Sequence, residues 1–298
     1  MILKPSFFGS KELPVLDLSP DAIRSLAQKN ISQGLTVTGV QKKLSLALSR
    51  ENGGRLTLID YPAGYILKPQ TEEYPFLPEA EDAVMDIAEA CGISVVPHGL
   101  LALEDEYGYI TKRIDRVTTP DGSFQKRAME DLCQLSGRLT EDKYKGSYEK
   151  CAELIRAYSS RPGIDLTEFF LRLVVSFVTG NSDMHLKNFS LIETAPGSRI
   201  FVLSPAYDLL PVNLVSDDPE ETALTLNGKK KNLKKKDLMI LAQRCGIPDK
   251  AAERMIAKVL KTLPKAEEIC RFSMLPKDRQ ESLCDLMRER AEILQADR

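Results

Sequence analysis

One change of period divides this 298-residue chain. Up to about residue 114 the apolar residues alternate or gather in short β-branched stretches, whereas beyond Arg116 they recur at helical spacing. The first part predicts strands over Leu35–Val40, Leu44–Leu48, Arg55–Ile59, Tyr65–Leu67, Ser94–Leu103 and Tyr107–Ile114. Asn52-Gly53-Gly54 is a hairpin turn signal between two of them. Ser19-Pro20-Asp21 reads as a helix start, with the helix running to about Lys29. A second helix opens at Pro78, carries Val84, Ile87, Ala88 and Cys91 on helical spacing, and closes at Gly92. The second part predicts helices near 127–136, 147–159, 165–179 and from about 234 onward, interrupted by a strand pair, Phe189–Glu193 and Ile200–Leu203. Asp165 is expected to cap the 165–179 helix. Phe169, Phe170, Leu173, Val174, Phe177 and Val178 cover most of that helix's circumference and make it the expected core of its domain. The expected class is α+β and bilobal: a β-rich N-lobe, residues 1–114, and a helical C-lobe, residues 115–298.

The bulk properties exclude several functions. A net charge of −2 gives no field that would gather nucleic acid. Two histidines, His98 and His185, rule out a histidine-rich metal site. Six cysteines without a C-x-x-C pair read as reduced core residues of a cytoplasmic protein. No apolar run approaches the ~18 residues of a membrane span, and the segment Met1–Gly9 is too short and broken for an export signal.

Chemistry concentrates in Gly180-Asn181-Ser182-Asp183-Met184-His185-Leu186-Lys187-Asn188, followed by Pro205-Ala206-Tyr207-Asp208. An Asp, an Asn five residues on, a short strand pair and a further Asp form the minimal kit of a kinase-like phosphoryl-transfer site. The first Asp takes the acceptor proton; the Asn and the later Asp supply hard oxygens for Mg²⁺ bound to ATP. Asp183 is therefore the candidate base, and Asn188 and Asp208 are the candidate metal ligands. A triphosphate also needs a cation, and Lys68 ends the apolar strand Tyr65-Ile66-Leu67-Lys68. Its partner is expected on the following helix, Glu81 or the nearer-to-terminus Glu79. His185 reads as a structural hydrogen-bonding residue. Lys187 has two readings, a contact to the transferred phosphate or a cap of its own loop. Thr38-Gly39-Val40-Gln41-Lys42-Lys43-Leu44-Ser45 lacks a G-x-G-x-x-G pattern and, on composition, is a plain hairpin strand.

These segments, with Thr36–Leu44, Ile66–Pro69, Glu79–Glu81, Lys112-Arg113-Ile114-Asp115-Arg116, Glu130-Asp131-Leu132-Cys133-Gln134 and Ser204–Asp208, resemble in order the HipA family of bacterial serine/threonine kinase toxins. The resemblance spans Gly34 to Gly246. It implies that Asp183 is the catalytic base, that Asn188 and Asp208 hold Mg²⁺, and that Lys68 meets the ATP phosphates. By the same resemblance Lys112 and Ile114 meet adenine through backbone groups, and Val40, Gln41, Lys42 and Lys43 cover the phosphates. It further implies autophosphorylation at Thr36 and Thr38, where the family has Ser; the residue-level alternative is two threonines favouring a strand. A phosphate there adds about −1.5 to −2 charge beside the nucleotide.

Few residues precede the expected phosphate loop, which resembles the short HipT-like branch. In that branch the N-terminal subdomain is a separate HipS-like protein working with a HipB-like DNA-binding protein. Leu3, Phe7 and Phe8 are then expected near a surface left for such a partner. The implied activity is growth arrest by phosphorylating an aminoacyl-tRNA synthetase. Two other classes share parts of the pattern: a small-molecule phosphotransferase acting on an antibiotic or sugar, and a pseudokinase binding module. The run Lys229–Lys236, with six lysines in eight positions, is either a solvated loop and helix start or a surface for an acidic partner.

Overall fold

The computed structural model describes residues 3, 5–9, 12–16, 43–49, 55–59, 64–103, 106–119, 124–215 and 220–296. The expected helix at 19–29, the strand Leu35–Val40 and the turn Asn52-Gly53-Gly54 lie outside the described residues. Two compact units form: Met1–Asp82 with Val96–Phe124, and Ala83–Val95 with Gln125–Arg298.

The first unit is built on β1 (Val15–Leu16), β2 (Leu44–Ser49), β3 (Arg55–Ile59), β4 (Tyr65–Lys68), then, beyond helix α1 (Leu77–Ala90), β5 (His98–Leu103) and β6 (Glu106–Lys112). These make a six-stranded sheet in the order β1-β3-β2-β4-β6-β5. Every pairing is antiparallel except the two-residue parallel contact of β1 with β3. Strand periodicity sets which residues share a face. Leu44 lies opposite Leu67, and Leu67 opposite Ile110, so one cross-strand row is wholly aliphatic and buried. Leu3, Phe8, Leu46, Leu56, Tyr65 and Leu103 complete this core. Phe7 and Phe8 pack their rings on Tyr65 at 5.7 and 5.4 Å. Of the three residues expected near a partner surface, Leu3 and Phe8 are buried in this core and Phe7 is half-buried against it.

The strand expected over Ser94–Leu103 starts only at His98. Pro97 has no N–H to give to a ladder, and its carbonyl accepts from Lys112 N and Thr111 Oγ1. Ser94 and Val95 go elsewhere: Ser94 O accepts from Ala206 N at 2.7 Å, and Val95 bridges Ala206. The last strand likewise ends at Lys112, not Ile114.

A separate two-stranded ribbon, β7 (Arg116–Thr118) and β8 (Phe124–Lys126), closes the sequence of the first unit, and the second unit continues with β9 (Met129–Asp131), α2 (Leu132–Leu135), α3 (Tyr148–Tyr158), α4 (Pro162–Val178), β10 (Ser190–Glu193) and β11 (Phe201–Leu203). Helices α5 (Val212–Val215), α6 (Lys235–Arg244), α7 (Asp249–Phe272) and α8 (Lys277–Gln295) follow. As its all-round apolar pattern requires, α4 packs against α3, α6, α7, α8 and β11. The helix expected over 127–136 is instead a strand and a single helical turn. Asp131 is extended (φ −78°, ψ 162°) and forms a capping box with Gln134, so the helix cannot begin before Leu132. Met129–Asp131 pairs with β10 instead. Asp165 does not cap α4: the helix starts earlier, with Pro162 in its first turn. Asp165 is buried inside that turn, accepting from Ser159 Oγ, Arg161 Nε and Leu203 N. It therefore ties α4 to β11. All six cysteines are buried and unpaired. Among the described residues no helix is long and apolar enough to cross a membrane.

α1 ends as its sequence predicts. Gly92 (φ +92°) donates to Glu89 O and Ile93 donates to Ala88 O, the paired bonds of a Schellman motif. Gly92→Ala is expected to lower stability by about 1–2 kcal/mol, because an L side chain is strained in this region. A fall in urea midpoint at unchanged slope checks it.

Candidate active site

In the first unit, β4 delivers Lys68 into the interior, where it is 3% exposed. Its Nζ lies 2.5 Å from Glu81 Oε1, and Glu81 is itself fully buried. The ammonium also sits 5.1 Å from the centre of the Tyr109 ring, whose face attracts a cation. Of the two glutamates offered by α1, Glu81 is therefore the partner of Lys68. Glu79 turns to Gln70, whose amide reaches both carboxylate oxygens at 3.0 and 2.7 Å. Residues two apart on a helix do not face the same way, so only one of them can meet the strand. Burial raises the Glu79 carboxyl above its ordinary value.

Beyond β6, Arg113 grips Asp115 through Nε and Nη2, both at 3.0 Å, and Arg116 Nη1 binds the same carboxylate. Lys112 is exposed and its N–H donates to Pro97 O at 3.0 Å, while Ile114 is half-buried in the turn that follows. Lys43 is exposed just before β2. Val40, Gln41, Lys42, Thr36 and Thr38 lie outside the described residues.

The second unit carries Asp183, Asn188 and Asp208. The segment between α4 and β10 forms no ladder, so turn bonds and side chains hold its backbone. Asp183 N donates to Asn181 Oδ1 at 3.2 Å, and Asp183 O accepts from His185 N and from Asn188 Nδ2, each at 2.8 Å. The bond to a carbonyl fixes the Asn188 amide: its nitrogen faces Asp183 O, so its oxygen is turned the other way. Asp183 Oδ1 accepts from the Tyr144 hydroxyl at 2.7 Å.

Neighbouring elements bond to the loop at several points. Lys187 Nζ pairs with Asp131 Oδ2 at 2.7 Å. In this structure Lys187 thus ties its loop to the residue that caps α2. Leu132 N donates to Phe189 O, and Leu186 N to Lys143 O. Tyr148 Oη donates to Met184 O at 3.1 Å. His185 is buried, its ring edge-on to Tyr144 at 5.0 Å.

Asp208 follows β11 with φ +60°, a left-handed backbone that a non-glycine residue adopts only when its surroundings impose it. The preceding residues supply that constraint. Arg172, 1% exposed, donates Nη2 to Ser204 O at 2.5 Å while Glu168 accepts from the same guanidinium at 3.2 Å. Ala206 is paired with Ser94 and Val95. Tyr207 Oη donates to Lys187 O at 3.0 Å and lies 2.5 Å from Ser190 Oγ. The residues next to Asp208 and Asn188 are therefore joined by one hydrogen bond, which keeps the two candidate ligands on adjoining segments. Burial holds the Tyr207 hydroxyl far above its ordinary pKa, so it stays a donor.

Tyr144, Tyr148, Glu168, Arg172 and Tyr207 were not singled out as site residues by the sequence reading. A signal that could have shown Tyr144 is Ser147, which caps α3 by accepting from Lys150 N and so places Tyr144 just ahead of that helix. The lysine run is partly internal: Lys229 pairs with buried Asp237 and Lys230 with Glu220. Lys231, Lys234 and Lys236 are exposed.

Residues 35–267 match the model of the HipA-like C-terminal domain. The chain belongs to that family. Its relatives include Y4dM of Sinorhizobium fredii, a kinase by name, 33% identical over 80% of this chain and 58% of that protein. The serine/threonine-protein kinase toxin HipA of Shewanella oneidensis is 21% identical over 83% of this chain and 60% of that one. The HipA-like chain thus spans less than two thirds of the length of these curated relatives. Among solved structures, HipA of Shewanella oneidensis MR-1, in a complex with HipB and operator DNA, matches with a TM-score of 0.72 at 18% identity, covering 91% of this chain and 73% of that one. The Helicobacter pylori proinflammatory kinase CtkA matches with a TM-score of 0.57 at 16% identity, covering 85% and 94%. The HipA-like chain therefore has the α+β, kinase-like fold expected from its sequence.

Removing one member of a buried ion pair strands the other. Lys68→Met is expected to cost about 3–5 kcal/mol, and Lys68→Met with Glu81→Leu to recover most of it. Urea unfolding of the two variants measures the difference.

Proposed function

We propose that this chain is an ATP- and Mg²⁺-dependent serine/threonine protein kinase. The observation that carries the reading is the pinned loop: Asn188 is bonded to the backbone of Asp183, and Tyr207, next to Asp208, is bonded to the backbone beside Asn188. A base and two oxygen ligands are thereby held on connected segments. The donor set fits the cation. Asn188 Oδ1 and the Asp208 carboxylate are hard oxygens, and Mg²⁺ is commonly held by one or two such groups with phosphate and water completing its shell. When bound, Mg²⁺ would neutralise charge on the triphosphate. In this reading Lys68, oriented by Glu81, would meet the α- and β-phosphates. Asp183 would accept the proton of the acceptor hydroxyl as its oxygen bonds the γ-phosphorus and the bond to the β-γ bridging oxygen breaks, releasing ADP.

The finer reading is a cytoplasmic toxin whose acceptor is an aminoacyl-tRNA synthetase, working with a HipS-like and a HipB-like protein. The HipB and operator DNA found with HipA of Shewanella oneidensis support a search for such partners. Self-regulation would come from phosphate on Thr36 or Thr38, and Val40–Lys43, Lys112 and Ile114 would complete the nucleotide contacts.

Incubation with ATP and Mg²⁺, followed by intact-mass and peptide mass spectrometry, tests the reading. Asp183→Asn and Asp208→Asn are each expected to lower phosphoryl transfer by at least about 10²-fold; unchanged transfer in either refutes the mechanism. The Thr36→Ala/Thr38→Ala double variant is expected to lose its self-incorporated phosphate. Equal stoichiometry in that variant would remove those sites while leaving the kinase intact.

A further inference from the structure

Asp183 is restrained at three kinds of atom. Its N–H is held by Asn181, its carbonyl by His185 N and Asn188 Nδ2, and its carboxylate by Tyr144. The first two restraints belong to the loop itself. The third comes from 39 positions earlier in the chain, and nothing in the D-x-x-x-x-N pattern requires it.

The segment bearing Tyr144 is fitted to this loop at three points. Lys143 O accepts from Leu186 N at 3.2 Å, Tyr144 Oη donates to Asp183 Oδ1 at 2.7 Å, and Tyr148 Oη donates to Met184 O at 3.1 Å. The segment is itself rigid: Lys143 N donates to Thr140 O and Lys145 N to Asp142 O. The Tyr144 side chain is 43% exposed, and its ring meets the His185 ring edge-to-face at 5.0 Å and Lys143 Nζ at 4.9 Å. Burial, and then the charge of Asp183, push the phenol far above its ordinary pKa, so it keeps the proton that it donates. A phenol with two torsions, ring contacts to His185 and Lys143, and a retained proton is suited to orienting a carboxylate.

Resting on the kinase reading above, we infer that Tyr144 is a positioning residue for phosphoryl transfer: its hydroxyl holds the Asp183 carboxylate in the orientation that receives the acceptor proton. It acts through Asp183. Its removal therefore slows the transfer step and leaves the binding of nucleotide and acceptor as it was. Misplacement of a reacting group by about 1 Å costs on the order of 10²-fold in rate, which sets the scale of the effect.

The test compares wild type, Tyr144→Phe and Asp183→Asn as full chains, with ATP, Mg²⁺ and myelin basic protein as a generic hydroxyl acceptor. Tyr144→Phe is expected to lower kcat by about 10- to 100-fold with both KM values within about twofold and with the same melting temperature. Three results would overturn the inference: an unchanged kcat; a raised acceptor KM at unchanged kcat, which would make the phenol an acceptor contact; or a loss of kcat accompanied by a loss of melting temperature and nucleotide affinity, which would make it a general packing residue. Phosphate on Tyr144 itself in the wild type would also overturn it, since the phenol would then be an acceptor. The control separates the two levels of argument. Wild type active, Asp183→Asn inactive and Tyr144→Phe unaffected refutes only the role of Tyr144. Wild type and Asp183→Asn equal refutes the kinase reading and this inference with it.

Discussion

The backbone between α4 and β10 pairs with no strand, and a buried peptide group without a partner is costly. This requirement organises the second unit. The polar groups of residues 181–188 are met from several directions: Asn181 N by Ser176 O, Met184 O by Tyr148, Leu186 N by Lys143 O, Lys187 O by Tyr207. The first closes α4 itself and the others bring further elements against the loop, so the candidate base is held by α3's leading segment, by β9 through Lys187 and Asp131, and by the turn that carries Asp208. The arrangement of the candidate residues and the local order of this region therefore rest on the same bonds.

Buried charge is the second organising constraint. Lys68 with Glu81, and Arg172 with Glu168 and Ser204 O, each place ions where desolvation is unfavourable unless geometry and hydrogen bonding offset it. Such pairs add little net stability relative to apolar residues of the same shape. Their value here is positional. One fixes a cation at the end of β4; the other fixes the carbonyl at the start of the turn in which Asp208 adopts a left-handed backbone. Strain at Asp208 persists because Arg172, Ser94 and Tyr207 leave that turn no other course.

Much of the fold was legible because its signals are local. The alternation in Leu44-Ser45-Leu46 and the Schellman ending at Gly92 each depend on a few adjacent residues, and the structure reproduces them. Where the reading failed, a nonlocal or competing local effect intervened. The 127–136 segment has helical spacing, but pairing of Met129–Asp131 with β10 and the Asp131 cap confine the helix to four residues. Asp165 resembled a cap, yet Pro162 starts the helix earlier and the carboxylate is drawn inward by Leu203 N.

By itself the sequence determined the α+β class and singled out Lys68, Asp183, Asn188 and Asp208 as candidates, because periodicity, capping and motif spacing are properties of neighbouring residues. The tertiary structure alone decided which glutamate meets Lys68, which hydroxyl rests on Asp183 and which cation underlies Ser204. Those contacts join residues 13, 39 and 32 positions apart. Only packing chooses among the many donors a chain of this length offers, since each candidate is equivalent until the backbone has brought one of them within hydrogen-bond reach.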